Sequence, residues 1–242
     1  GNYKHFMLKE IFEQPKAVLD SIRGRIDNNN NVKLGGVADY IDRIIESEDI
    51  YITACGTSWH AAQIGSYFLE DILKKPVKVE YASEFRYREV VVNSKTLILA
   101  ISQSGETADT LAAMEHAKKA GARLLTICNI PGSQATRMAE GALYINAGIE
   151  IGVASTKTFT STLTTLYLLS IHIATLKGTI SEEEAKSKVR NLSTIPHKMG
   201  SILASQEQYR KLAEQYSPFD HFFYLGRGIH YPIALEGALK LK

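Results

Sequence analysis

Three hydroxyl side chains and one glycine are concentrated in residues 97–111, LILAISQSGETADTL, between an apolar run and a helix-forming segment. Ser102, Ser104 and Thr107 can donate hydrogen bonds, and Gly105 allows a ligand to approach the backbone closely. Where a strand leads into a helix through a tight loop, the free N–H groups of the helix N-terminus also attract an anion. The segment therefore predicts a phosphate-monoester site built from neutral donors; the alternative is that these residues only cap the helix.

Two neighbouring side chains bear on this prediction. Gln103 adds an amide donor to the loop, whereas the carboxylate of Glu106 would repel a phosphate, so we expect Glu106 to point away from the ligand. The segment has neither the GxxxxGK[ST] pattern of nucleotide-binding P-loops nor the GxGxxG pattern of dinucleotide-binding folds. The loop therefore gives no indication of a nucleotide ligand.

A second strand-to-helix junction, residues 54–60, could add donors to the same ligand. Thr57 and Ser58 directly follow Gly56 at the end of an apolar run. In a doubly wound sheet such a loop can lie beside the first one. Cys55 is not flanked by a histidine or a basic residue that would lower the pKa of its thiol, so we interpret it as a structural residue and not as a nucleophile.

A third junction, residues 150–159, reads EIGVASTKTF. Its small residues Gly152, Ala154 and Ser155 leave room for a ligand and expose the backbone. A plain connecting loop is an equally good interpretation of the same residues.

Composition excludes several classes of protein. The histidines are scattered, and neither HxxxH nor CxxC spacing occurs, so no metal site is predicted and no cofactor is expected. The 242 residues carry 28 basic and 26 acidic side chains, which gives no reason to expect nucleic acid or a membrane surface as a partner. Residues 163–176 are the longest apolar candidate, but they include His172 and several threonines and predict a buried helix. Cys55 and Cys128 are expected to be free thiols of a cytoplasmic protein.

The chain divides into four parts by pattern. Short apolar runs alternate with helical patterns through residues 35–180, which predicts an α/β domain with a doubly wound parallel sheet in three layers, αβα. Residues 1–34 predict a helical arm, with Pro15 as a helix start or break. Residues 181–212 are charged and helical in pattern and predict a connector. Residues 213–242 predict the opening of a second, similar domain.

The second domain is predicted from an internal repeat. Residues 51–70, YITACGTSWHAAQIGSYFLE, and residues 222–242, FFYLGRGIHYPIALEGALKLK, share one order of apolar strand, glycine-centred loop and amphipathic helix. Gly56 and Gly226 occupy matching points in this order. One strand and one helix cannot bury their own apolar faces, so we expect the second domain to be truncated in this chain or completed elsewhere.

The three junctions and the final helix together resemble one family. The segments CGTS, SQSGETADT, EIGVASTK and YPIALEGALKLK are similar to the sugar isomerase (SIS) region of the glutamine–fructose-6-phosphate aminotransferases. SQSGET alone indicates an SIS domain, which many sugar-phosphate enzymes and regulators share. KEIFEQP and EFRYR, in order with EIGVASTK, narrow the resemblance to this family.

The resemblance implies an activity and a set of site residues. The family makes glucosamine 6-phosphate from fructose 6-phosphate and glutamine-derived ammonia for amino-sugar biosynthesis, and SIS domains pair through their helices, which implies a hexose phosphate ligand and a homodimer. Lys240 matches a lysine near the reacting end of the sugar and is the candidate catalytic residue. The positions that match family phosphate ligands are Ser102, Gln103, Ser104 and Thr107. The positions that match contacts to sugar hydroxyls are Thr57, Ser58, Val153 and Ser155.

Two features depart from the family. The sequence contains no N-terminal cysteine glutaminase domain, and it ends at KLK, where the family continues into a catalytic glutamate. We therefore expect the chain to bind a sugar phosphate without making glucosamine 6-phosphate, with Lys240 poorly fixed at the end of its helix. Glu236 is expected to be a helix-surface or structural carboxylate. The alternatives are a noncatalytic SIS-domain sugar-phosphate sensor and an assembly module; the sequence after Lys242 would discriminate between them.

Overall fold

A five-stranded parallel sheet forms the centre of the fold. The computed structural model describes residues 3–242, and all neighbouring strands in the sheet are parallel, in the order β2-β1-β3-β4-β5. The strands are β1 (Asp49–Ala54), β2 (Val77–Tyr81), β3 (Thr96–Ser102), β4 (Arg123–Cys128) and β5 (Gly141–Tyr144). The predicted parallel sheet of an α/β fold is therefore confirmed.

Both faces of the sheet are covered, which explains why its strands are continuous apolar runs and do not alternate. All seven residues of the central strand β3 are buried. One face of the sheet packs against α3 (Gly56–Leu73) and α7 (Lys157–Lys177), with a 3₁₀ turn at Gly35–Tyr40 and α2 (Ile41–Glu46) beside them. The other face packs against α4 (Ala82–Phe85), α5 (Ala108–Lys119) and α6 (Gln134–Met138). The three layers αβα follow from this arrangement.

Helix α7 contains the apolar stretch for which a buried helix is predicted. By length and composition α7 could cross a membrane, but 61% of its most apolar window is buried inside the fold. It packs against α3 on one side and against α1 (Phe6–Ile22) and α8 (Glu182–Ser193) on others. Helix α7 is therefore a core helix, as expected for residues 163–176.

The arm is one helix, and the expectation for Pro15 is wrong. Helix α1 continues from Phe6 to Ile22 with Pro15 inside it. Proline has no N–H to donate to the carbonyl four residues earlier, which is that of Ile11. The side-chain amide of Gln14 donates to the Ile11 carbonyl oxygen at 3.2 Å and supplies the bond that Pro15 cannot make. A neighbouring side chain therefore lets the helix tolerate the proline.

The connector is helical, as its charged pattern predicts. It consists of α8, α9 (Ile195–Ala204) and α10 (Gln206–Tyr216). Ser181 caps α8 by accepting a hydrogen bond from the N–H of Glu184, and α8 buries Ala185 and Val189 against α7. No residue of α9 or α10 is buried within the part of the chain that the structure describes, residues 3–242.

The second repeat unit is only partly formed. Its helix α11 (His230–Leu241) is present and packs against α3, but the strand predicted before Gly226 is not. Phe223 and Leu225 are 92% and 90% exposed in an irregular segment. A strand satisfies its backbone through neighbouring strands, and none lies beside this segment within residues 3–242. The prediction of a strand here is therefore wrong for the chain as described.

Leu166 of α7 is fully buried and packs on Gly65 of α3, where a Cβ would meet a Leu166 methyl group at 2.8 Å. We expect Leu166→Ala to lower the free energy of unfolding by about 2–5 kcal/mol, because it removes apolar contacts and leaves a cavity. Leu176→Ala in the last turn of the same helix is the matched control, since Leu176 is 60% exposed. Urea unfolding measures the free energy of unfolding of both variants. Equal losses in the two variants would contradict the packing described here.

Candidate functional site

The candidate site lies where the winding of the sheet reverses. Strand β1 connects to its neighbour β2 on one side, whereas β3, its neighbour on the other side, connects to β4. The connections that leave β1 and β3 therefore run in opposite directions. Such a switch point opens a crevice at the carboxyl ends of the two strands. The pairing of Thr53 with Ala100 aligns β1 with β3, and the loops that follow the two strands emerge side by side. The structure therefore brings the first two predicted junctions to one edge of the sheet.

Hydrogen bonds within the loop fix the conformation of residues 102–107. The Oγ atom of Ser102 accepts from the N–H of Gly105 at 3.1 Å and lies 2.9 Å from Thr107 Oγ1. The Oγ atom of Ser104 accepts from the N–H of Glu106 at 3.1 Å. These bonds fix the conformation of the loop, and none of them involves a lysine or arginine side chain.

The loop keeps several donors free for a ligand. Ser104 Oγ acts as an acceptor, so its own hydroxyl hydrogen remains available. In the Ser102–Thr107 pair one hydroxyl donates to the other, and one hydrogen remains. The first N–H groups of a helix have no intrahelical acceptor, and the side chain of Thr107, the N-cap residue of α5, does not bond to those of α5. Ser102 is buried beneath the loop, whereas Gln103, Ser104 and Thr107 are partly exposed and can face a ligand.

Negative charge is directed away from this cradle of donors. The Oε1 atom of Glu106 accepts from the N–H of Gln134 at the start of α6, at 2.7 Å. This agrees with the expected outward orientation of Glu106. Asp109, in the first turn of α5, is paired with Arg86 at 2.7 Å. The positive end of the α5 dipole is therefore not offset by an unpaired carboxylate.

Gly105 is required by its backbone and by its surroundings. Its φ is +66°, in the left-handed region. A Cβ at this position would collide with the side chain of Ser133 and lie 2.8 Å from Cys128 Sγ. The loop after β3 therefore packs directly against the loop after β4, which leaves no room for a side chain.

The surroundings of Cys55 support its interpretation as a structural residue, which stays a prediction. Burial raises the pKa of its thiol, and the charge of Asp109 acts in the same direction, while hydrogen bonds at Ser83 and Thr110 oppose the shift. A thiol with a raised pKa is a poor nucleophile at neutral pH. Its proximity to Thr110 also shows that the end of β1 contacts the first turn of α5.

A buried polar cluster joins α11 to the N-terminus of α3. Glu236 is 5% exposed, and its Oε2 atom lies 2.5 Å from His60 Nδ1. Its Oε1 atom accepts from Thr57 Oγ1 at 3.0 Å and lies 2.9 Å from the Lys240 ammonium. Lys240 also donates to Thr57 Oγ1 at 3.2 Å. The cluster therefore consists of Thr57, His60, Glu236 and Lys240.

The structure decides between the two alternatives for Glu236 and corrects the expectation for Lys240. Glu236 is not on the helix surface; it is buried and both of its oxygens are engaged, which agrees with the structural alternative. Lys240 is not poorly fixed, because Glu236 and Thr57 hold its ammonium. Sequence spacing could have revealed the Glu236–Lys240 pair, which is i,i+4 on one helix. It could not reveal His60, which lies 176 residues away.

The pKa of Glu236 reflects the cluster. Burial alone would raise it, but hydrogen bonds from His60, Lys240 and Thr57 and the charge of Lys240 outweigh burial and hold the pKa below its ordinary value. The carboxylate is therefore ionised at neutral pH. Both of its oxygens are engaged by protein donors.

The third junction is an ordered loop capped by its own carboxylate. Glu150 accepts from the N–H groups of Thr156 and Thr158 at 2.8 and 3.2 Å and so caps α7. Ser155 Oγ lies 2.5 Å from Thr158 Oγ1, and Val153 is fully exposed. Glu150 was missed by sequence reasoning, although a carboxylate shortly before a helix is a common capping signal.

Asn129 connects the loops after three strands. Its N–H donates to the Gln103 carbonyl oxygen at 3.1 Å. Its side chain donates to the Gly148 carbonyl oxygen at 2.6 Å and accepts from the Ala147 N–H at 3.0 Å. Ala147 and Gly148, which lie just before the third junction, are thereby tied to the loop after β3. Sequence reasoning missed Asn129, whose signal is its position directly after β4. Within residues 3–242 no cluster of three or more potential metal ligands occurs.

The fold and the loop at the switch point define a class of protein. A family model described as "SIS domain" matches residues 43–172, just over half of the chain. The chain belongs to the SIS-domain family.

Within this family, the whole chain is similar to one kind of enzyme. It is 51% identical to the glutamine–fructose-6-phosphate aminotransferase [isomerizing] of Bacteroides thetaiotaomicron over 243 residues, which cover 100% of the chain and 40% of the relative. The corresponding protein of Chlorobaculum tepidum is 48% identical over 244 residues, with 39% of its length covered. The chain thus spans about two fifths of the length of these curated relatives.

A solved structure agrees with this similarity. The C-terminal domain of glucosamine-fructose-6-phosphate aminotransferase from Francisella tularensis superposes with a TM-score of 0.93 and 40% identity, over 100% of this chain and 67% of that chain. The resemblance inferred from CGTS, SQSGETADT and EIGVASTK is therefore confirmed, as is the αβα architecture of an SIS domain.

Gly105→Ala tests the packing of the loop. Gly132 is the matched control, since its φ is +72° but a Cβ there would meet nothing within 4 Å. We expect Gly132→Ala to cost about 1–2 kcal/mol of unfolding free energy from backbone strain alone. Gly105→Ala should cost more, because it adds the collision with Ser133. Denaturant unfolding compares the two, and equal losses would show that the loops are not in close contact.

The docking of α11 should weaken in acid. Because the pKa of Glu236 is lower in the folded protein than in the unfolded chain, its stabilising contribution is complete at neutral pH. The contribution is lost as the pH falls through that lowered pKa, below the ordinary value of 4.5. Trp59, the single tryptophan, precedes His60 and stacks on Tyr81, so its fluorescence reports on this contact.

The acid transition should disappear in Glu236→Gln, which carries no titrating group at this position. Glu207→Gln is the control, since Glu207 lies on α10 and pairs only with the exposed Arg210. The Glu207→Gln variant should show the same acid transition as the unmodified protein. An identical acid transition in Glu236→Gln would assign the transition to another carboxylate.

Proposed function

We propose that this chain is the sugar-phosphate-binding part of the isomerase region of an aminotransferase that makes glucosamine 6-phosphate. In this proposal the substrates of the whole enzyme are fructose 6-phosphate and glutamine-derived ammonia. Similarity to such aminotransferases along the whole chain supports it. The structural observation that carries it is a loop of free neutral donors at the switch point of a parallel sheet.

The phosphate would bind over residues 103–107. Ser104 and Thr107 offer hydroxyl hydrogens, Gln103 offers its side-chain amide, and the N-terminus of α5 offers N–H groups and its dipole. Glu106 points toward α6 and leaves this space free of negative charge. Several neutral donors can thus share the charge of a phosphate monoester without lysine or arginine.

The sugar would extend toward the N-terminus of α3. Ser58 and the backbone after Gly56 lie at the end of β1, beside the phosphate loop. Thr57 holds Lys240 there, so the ammonium lies at the same edge of the sheet. A positive group in this position stabilises negative charge on a sugar oxygen while a proton moves between adjacent carbons. Val153 and Ser155 are proposed to contact sugar hydroxyls from the third junction.

The roles of these residues follow from their surroundings. Lys240 is proposed to act on the sugar, whereas Glu236 orients Lys240 and Thr57 through its engaged oxygens. The association of two copies and a cytoplasmic setting stay predictions. Exposed apolar residues on the connector helices, such as Ile202 and Leu212, are consistent with the pairing of two copies.

Ser104→Ala combined with Thr107→Ala tests the phosphate site. Each hydrogen bond to a charged group contributes about 1.5–3 kcal/mol, so the double variant should bind fructose 6-phosphate more weakly by roughly a hundredfold or more. Binding of inorganic phosphate and of glucose 6-phosphate should weaken by a similar factor, because the lost hydrogen bonds are to the phosphate group. Calorimetry measures affinity, and the rise of the unfolding temperature with ligand measures it independently.

Ser181→Ala is the matched control for this experiment. Ser181 also sits before a helix, where it caps α8, but it is not part of the loop at the switch point. It should leave the affinity for all three ligands unchanged. If the double variant bound fructose 6-phosphate as tightly as the unmodified chain, the phosphate site would have to lie elsewhere.

A further inference from the structure

Glu10 of α1 is a buried carboxylate bonded to the third junction. It is 2% exposed, although it lies in a helix whose neighbouring residues Phe6 and Leu8 are exposed. Its Oε1 atom accepts from the N–H groups of Ile151 and Gly152 at 2.6 and 3.1 Å. Burying a carboxylate is costly unless donors satisfy it, so these two N–H groups are what keep Glu10 in this place.

The contact leaves no free space. A Cβ at Gly152 would lie 2.5 Å from Glu10 Oε2 and 3.4 Å from the Cα of Met7. The loop backbone therefore rests directly on the first turns of α1. Glycine is required here because of this close approach and not because of its backbone angles.

Further contacts of α1 follow the same connection between β5 and α7. The ammonium of Lys157, which is buried at the start of α7, pairs with Glu13 Oε2 at 2.7 Å. The hydroxyl of Ser21 donates to the Ile145 carbonyl oxygen at 2.5 Å. Helix α1 therefore contacts the connection between β5 and α7 at three points: near the start of the connection, in its middle and at its end.

We propose that Glu10 is a positioning residue: it holds residues 149–156 in the conformation that presents Val153 and Ser155, and it makes recognition of the sugar depend on the N-terminal helix. The inference rests on the proposed function for the identity of the ligand. Within residues 3–242, the hydrogen bonds of the Glu10 carboxylate are to Ile151 and Gly152 and not to the phosphate loop after β3. Loss of Glu10 should therefore affect the sugar and leave the phosphate contact intact.

Glu10→Ala and Glu10→Gln test the holding of the loop in the complete 242-residue chain. Hydrogen exchange of the Ile151 and Gly152 amides should accelerate roughly tenfold or more in Glu10→Ala, because the charged acceptor is lost. The acceleration should be smaller in Glu10→Gln, which keeps a neutral acceptor. Amides of β3 should exchange as in the unmodified chain, which separates a local effect from a global loss of stability.

Asp20→Asn is the matched control. Asp20 is an acidic residue of the same helix, and its salt bridges are to Lys16 and Arg23 within or next to α1. Its removal should leave the exchange of Ile151 and Gly152 unchanged. Unaltered exchange of these two amides in Glu10→Ala, or acceleration equal to that of β3, would overturn the inference.

Binding measurements test the consequence for recognition. In Glu10→Ala the Kd for fructose 6-phosphate should rise roughly tenfold, while the Kd for inorganic phosphate should stay within about twofold. Faster loop exchange with an unchanged Kd for fructose 6-phosphate, or equal weakening of both ligands, would overturn the link to recognition. If the unmodified chain bound neither ligand, the proposed function would be wrong, and the exchange data would still decide whether Glu10 holds the loop.

Discussion

The parallel pairing of β1 with β3 is the constraint on which the candidate site depends. This pairing places Ala54 and Ser102 near one edge of the sheet and so brings the loops after both strands together. Helix α3 begins at the same edge, and its Thr57 and His60 are the groups on which α11 docks. Hydrogen bonds of Asn129 connect the loops after β4 and β5 to the loop after β3. A change of register between β1 and β3 would move all of these groups at once.

Three carboxylates order the candidate site by accepting hydrogen bonds from protein donors. Glu106 caps the start of α6, Glu150 caps α7, and Glu236 holds Lys240 and Thr57. In each case the carboxylate accepts from a protein donor, and the ligand-facing side keeps hydroxyl and N–H groups. Acidic residues thereby order the region in which a phosphate is proposed to bind, while their oxygens accept from protein donors.

Sequence patterns predicted the parts of this structure that depend on local chemistry. Apolar runs such as residues 97–101 predict buried parallel strands, which the structure has. The hydroxyl-rich loop at 102–107 predicts an anion site because a strand-to-helix junction has the same donors in any fold, and this site stays a prediction. The parts that failed depend on distant groups. Whether Lys240 is fixed depends on Thr57 of α3, and whether a strand forms before Gly226 depends on a neighbouring strand that is not present within residues 3–242. Pro15 is an exception, because the compensating group is its direct neighbour Gln14.

A phosphate site without a lysine or arginine in its loop, as proposed here, has consequences for how a ligand arrives. Dipoles of hydroxyl and N–H groups act over short distances. Arg86 with Asp109 and Lys240 with Glu236 form ion pairs whose charges offset each other, and Glu106 of the loop itself is acidic. Long-range attraction, which accelerates association in strongly charged clefts and is screened by salt, is therefore weak here. A sugar phosphate would find this crevice by ordinary diffusion and be retained by contact geometry. Its capture would depend little on ionic strength, and other small oxyanions would be discriminated by shape more than by charge.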